Sequence, residues 1–150
     1  MQTTLALREK AAQLLAADAA TLAPPADANV IALIKAIFTP LESTTLADLT
    51  LADFDGATPL AVGVGTQPEG LDPNSSDSII NLKPPAGGFR WETTGVTNLP
   101  MTIYGFALLN DALDTLLACE VLAAPITLNA VNEVVNIPVP TIRQLANTMV

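Results

Sequence analysis

The sequence predicts a mainly β chain: an antiparallel β-sandwich or barrel of about seven to eight strands with an N-terminal α-helix. Three observations carry that expectation. Phe89, Trp91 and Thr93 alternate with Arg90, Glu92 and Thr94, the period-two pattern of a strand with one wet face. From Met101 to Leu109 both alternate sets are mainly apolar, which marks a strand covered on both sides. Turn residues from Gly95 to Pro100 separate the two stretches, which read as the central pair of the scaffold. Phe38, Phe89, Trp91, Ile103, Tyr104 and Phe106 are the expected core.

Taken in order, Thr3 or Thr4 can cap a helix running to about residue 20, in Ala-rich sequence that favours helix. Its narrow apolar stripe, Leu7, Ala11, Leu14, Leu15 and Leu22, is the expected interface, against a neighbouring subunit or against the chain's own sheet. Pro24-Pro25 ends it, so residues 1–25 read as a helical arm and 26–150 as the β domain. Asn29 to Phe38 is rich in β-branched residues and stops at Thr39-Pro40, a strand. Ser43 to Leu49 has a Ser/Thr start and reads as a short helical turn. Phe54-Asp55-Gly56 turns the chain into a strand of about residues 57–65, and 66–77 is a loop. Ser78 to Leu82 is a short strand, and Lys83 to Gly88 leads into the Trp strand.

Asn110 to Ala124 is ambiguous. Asn110 is a good N-cap and Leu113, Leu116, Leu117, Glu120 and Val121 fit helical spacing, while Thr115 to Leu122 fits a buried strand equally. Pro125 resets the chain before Ile126 to Leu128, a turn, and a last strand from Glu133 to Val139. Pro138 and Pro140 put that strand at an edge. The tail from Thr141 reads as a loose end or short helix.

The formal charge is −9, and the six basic residues are scattered. Phosphate binding needs clustered Lys and Arg, so neither nucleic acid nor an anionic membrane is an expected partner. There is no His, which removes the commonest general base and the imidazole metal sites together. The single cysteine, Cys119, lies in an apolar run and reads as a buried hydrophobe. Val62-Gly63-Val64-Gly65 lacks the Lys and helix of a phosphate loop. Asp53 and Asp55 beside Gly56 resemble a fragment of a calcium loop but lack its closing Glu, leaving them weak metal candidates against a turn with solvated acids. Asn74-Ser75-Ser76 fits a glycosylation acceptor but, with no secretory leader in view, reads as plain loop. No enzyme activity and no cofactor are expected.

The order of motifs adds a resemblance. Phe38-Thr39-Pro40 is followed by Ala52-Asp53-Phe54-Asp55-Gly56, by Phe89-x-Trp91, and by Thr102-Ile103-Tyr104-Gly105-Phe106-Ala107-Leu108-Leu109. Over residues 29–139 this order resembles a group of small virion structural proteins of tailed bacteriophages. The chain has Ala57 where that group carries an aromatic, and Phe106 where Tyr is common. The resemblance implies residues 115–122 as a strand. It implies a non-enzymatic capsid decoration or cement protein, made in a host cytoplasm and resident in the virion. Its partners would be the major capsid protein or other virion proteins, with self-association into a homo-oligomer. The alternatives are a tail, neck or fibre-attachment component and, more distantly, a carbohydrate-binding β-sandwich module.

Overall fold

A computed structural model describes residues 2–3, 29–41, 43–64, 77–110, 113–138 and 141–145. The expected helix with its stripe at Leu7, Ala11, Leu14, Leu15 and Leu22, the loop expected over 66–77 up to residue 76 with its Asn74 acceptor, and the last five residues lie outside the described residues, while Asp77 begins a strand.

Among the described residues the chain is mainly β and antiparallel. The strands are β1 (Gln2–Thr3), β2 (Asn29–Ile34), β3 (Leu60–Val64), β4 (Asp77–Lys83), β5 (Phe89–Glu92), β6 (Met101–Asn110), β7 (Leu116–Leu128), β8 (Val134–Ile137) and β9 (Thr141–Leu145). Seven form one sheet in the order β1-β7-β6-β2-β3-β4-β9, and β5 pairs with β8 in a separate ribbon. The sheet curls enough that Cα atoms of β1 and β9, its two outermost strands, come within 8 Å.

β6 is central because it has something to bury on each face. Ile31, Leu33, Ile103, Phe106, Leu108 and Ala118 share one apolar cluster. The ribbon closes over that cluster with Phe89, Trp91, Val135 and Ile137. On the other face Val30, Ala32, Ile34, Ala107, Leu109 and Cys119 form a second cluster, against which Phe38, Leu46, Leu49 and Leu51 pack. Each large side chain removed from water here contributes about 1.5–3 kcal/mol, so a strand lined on both faces outweighs its modest polar content.

Several expectations change. The Trp strand keeps its wet face, with Phe89, Trp91 and Thr93 buried and Arg90 and Thr94 exposed. It is not the neighbour of β6, however: its partner is β8, through Phe89↔Ile137 and Trp91↔Val135. β2 stops at Ile34 rather than Phe38, because the chain leaves the sheet at Lys35 and lays Phe38 over Gly105. The segment after Asn110, which spacing leaves open between helix and strand, is strand from Leu116, as the resemblance implies for residues 115–122, and Pro125 does not end it. Pro125 sits in a four-residue bulge, Leu122 to Pro125, between the pairs Ile103↔Ile126 and Gly105↔Val121, where a missing N–H breaks no ladder bond. The loose end or short helix expected from Thr141 is instead β9, paired with β4 through Ile80↔Ile142 and its neighbours.

Local signals read correctly at the turns. Thr45 begins the 3-10 turn Leu46–Asp48, and the Asp48 carboxylate accepts both the Thr45 amide and its hydroxyl at 2.8 Å. Those bonds, the backbone one first, hold the fully exposed Asp48 carboxyl below its ordinary 3.8. Thr93 is the polar pin of the ribbon. Fully buried, its hydroxyl donates to the Ala130 carbonyl at 2.7 Å and accepts the Glu133 amide at 2.9 Å. Thr93→Val keeps the shape and strands both backbone groups, so denaturant melts should show a loss of about 1–3 kcal/mol with an unchanged m-value.

Candidate functional site

The strand ends define one pole of the body. β2 leaves the sheet at Ile34, opposite Gly105, while β6 enters at Met101, opposite Leu128, where β7 leaves. A bridge from Ile34 to Leu51 returns the loop 35–50 to the same pole. Three loops are therefore rooted together: 35–50, the 94–100 connection before β6, and the 129–133 turn after β7.

These loops carry most of the large apolar side chains that the described residues leave in water. Ile37 is 81% exposed and Val96 75%, with Leu41 and Val131 less so. Scattered surface hydrophobes need no account, but four on loops of one pole suggest a contact surface.

The loops are also braced. Lys35 Nζ meets Asp53 Oδ1 at 2.6 Å, and the Asn98 side-chain Nδ2 donates to the Asp53 carbonyl at 2.9 Å. The Thr94 amide donates to the Asp55 carbonyl at 2.8 Å, and the Thr97 amide to Asp55 Oδ2 at 3.2 Å. Gly95 passes so close that a Cβ there would lie 2.1 Å from Asp55 Oδ2. The Glu133 carboxylate accepts the Asn129 amide and ties the third loop. Asp53 and Asp55, the candidate metal ligands, thus serve as struts between loops. Among the described residues no group of three or more Cys, Asp or Glu side chains could hold a metal ion.

The remaining chemistry is quiet. Burial pushes the Cys119 thiol up from its ordinary value, leaving less of the reactive thiolate. The Asp114 carboxyl is held below 3.8 by Asn110 and then Thr115, and Asn110 Oδ1 accepts the amides of Asp114 and Thr115 at 3.0 Å. Asn110 therefore shapes the β6–β7 turn. Arg90 and Glu92 pair at 2.8 Å on the outer face of the ribbon. Of the expected core, Phe89, Trp91, Ile103 and Phe106 are buried, and Phe38 and Tyr104 are half-buried. Trp91 donates its indole N–H to the Thr58 carbonyl at 2.9 Å. Among the described residues no helix is long and apolar enough to cross a membrane.

Sequence reasoning placed Ile37 inside a strand and passed over Val96 and Val131 as turn residues. The available signal was a β-branched hydrophobe at the tip of a turn, where polar residues are usual. No protein-family model matches the chain, and neither the curated proteins nor the solved structures compared with it give a match.

Proposed function

We infer that this chain is a non-enzymatic virion structural protein of a tailed phage, a capsid decoration or cement protein that works by protein–protein contact. In this reading the curled sheet is a barrel, closed where β1 meets β9 and covered on one face by the β5–β8 ribbon. The observation that supports it best is the pole with Ile37, Leu41, Val96 and Val131 exposed on loops already braced by Asp53, Asp55, Asn98 and Glu133. A surface ordered before it binds loses little conformational freedom on docking, which favours many weak contacts spread over a symmetric shell. The motif order from Phe38 to Leu109 adds the phage setting. Because Gln2–Thr3 is a strand of the sheet, an arm could only begin after it, and there it would supply a second contact through Leu7, Ala11, Leu14, Leu15 and Leu22.

Purified chain added to empty capsids should co-sediment with them, and mass-spectrometric counting should find tens to hundreds of copies per particle. A dozen or fewer copies would move the protein to the tail, neck or fibre base. Ile37→Lys with Val96→Lys should lower capsid occupancy at least about tenfold, since each removes a buried apolar contact. Asn136→Lys, on the exposed face of the ribbon, should leave occupancy unchanged; equal losses would disconnect the pole from binding. A carbohydrate module is disfavoured by Trp91, which is 2% exposed with its N–H already committed.

A further inference from the structure

We propose that the gap between β7 and β9 is a strand-acceptor site, filled within one chain by its own Gln2–Thr3 and, between copies, by the same strand of a second chain. Among the described residues only β1 lies between β7 and β9. It pairs with β7 through Gln2↔Cys119 and Thr3↔Ala118, and its Cα atoms approach β9 within 8 Å. β7 and β9 share no pairing among the described residues. Among the described residues the outer side of β9 carries no strand pairing, and without β1 the edge of β7 at Ala118–Cys119 would be open as well; open edges seek a strand.

β1 is also the shortest strand of the sheet among the described residues. It has two residues, where the other strands of that sheet run from five in β3 and β9 to thirteen in β7. Between it and β2 lie residues 4–28, a connection of 25 residues. At ~3.3 Å per residue that connection reaches at most about 80 Å, against a radius of gyration of about 15 Å expected for a folded chain of this length. The strand can thus enter a neighbour's slot with no other change in the body. The backbone bonds are the same in either arrangement, so exchange is set by local concentration. Two chains that each give and receive β1 form a closed, two-fold pair. The net charge of −9 opposes the approach of copies, and added salt should relieve it.

The proposal takes from the virion reading only that copies sit side by side, and it is tested on purified chain without capsids, so its failure would leave the capsid experiments untouched. Register places residue 2 directly across from Cys119, the single cysteine of the chain. Opposed strand positions lie within the Cα separation a disulfide needs. Because Cys119 is 0% exposed, stray oxidation in solution does not reach it. Gln2→Cys is oxidised gently over a range of protein and salt concentrations, then read by non-reducing gel and intact mass. The expected result is a disulfide-linked dimer whose share rises with both. Only intrachain closure at every concentration overturns exchange, and no disulfide of either kind overturns the slot itself. A mixture of wild-type chain with Gln2→Cys/Cys119→Ala, each shown folded by its melt, can cross-link only between copies. A mixed dimer supports the proposal, and its absence where Gln2→Cys alone closes within the chain refutes it.

Discussion

Gly56→Ala should cost about 3–5 kcal/mol and lower the melting midpoint by about 10–15 °C. Two penalties combine there. Gly56 has φ +105°, a backbone state that side chains with a Cβ rarely adopt. The added Cβ would also lie 2.0 Å from the Glu92 carbonyl oxygen and 3.2 Å from its carbon, backbone atoms that move only if the end of β5 moves. Displacing Glu92 loosens the ribbon that holds Trp91 in the core, so Trp emission should shift to the red before the global transition. Gly87 separates the two causes, because it has φ +98° but nothing within 4 Å of its would-be Cβ. Gly87→Ala should therefore lose only about 1–2 kcal/mol, the conformational cost alone. If the two variants lose the same amount, the contact with Glu92 is not what fixes that turn.

The Asp55-Gly56 turn was legible because it is local: Ala57 N–H returns to the Phe54 carbonyl, and Gly is the residue such a turn favours. The Thr45 start of the 3-10 turn was legible for the same reason. Alternation in the Trp strand gave its wet face but not its partner, since period two reports which side is buried and nothing about which strand lies alongside. β8 follows β5 by more than forty residues, and that pairing is decided by how the ribbon closes over the sheet. β9 was unreadable as a strand because Thr-Ile-Arg-Gln-Leu has little alternation of its own. It is strand where the edge of β4 gives it a ladder.

β7 fits two spacings for a more specific reason. Leu108 pairs with Ala118 and Leu109 with Leu116, so Leu117 is an extra residue in the strand. The bulge brings Leu116, Leu117 and Ala118 all into buried positions, which breaks the alternation and imitates a helical face. The exposed apolar pole escaped notice because it is a product of topology. Ile37, Val96 and Val131 are far apart in sequence, and only the common ends of β2, β6 and β7 root their loops together. Asp53 and Asp55 were visible as a pair, yet their roles depend on Lys35 and Thr97, which spacing does not reveal.

Gly105→Ala should destabilise the fold by about 2–4 kcal/mol although no unusual backbone angle is involved. A Cβ at that position would lie 2.3 Å from the Glu120 carbonyl oxygen on β7 and 2.6 Å from Cε1 of the Phe38 ring. The two obstacles differ in kind. The ring can swing aside, whereas the carbonyl belongs to the central β6–β7 ladder, next to the register shift between Ile103 and Gly105. Phe38→Ala should therefore relieve part of the Gly105→Ala loss and never all of it, with a coupling of about 0.5–3 kcal/mol in the double-mutant cycle. Simple additivity would mean that Phe38 does not rest on Gly105. The consequence for assembly follows from where Phe38 sits, between Ile37 and Leu41 on the loop that returns through the Lys35 amide to the Thr50 carbonyl at 2.9 Å. A ring pushed off Gly105 unseats that loop. Hydrogen exchange at the Lys35 amide should then accelerate in Gly105→Ala while the amides of Thr93 and Glu133 stay protected, and under the proposed cement role capsid occupancy should fall at temperatures where the rest of the variant remains folded.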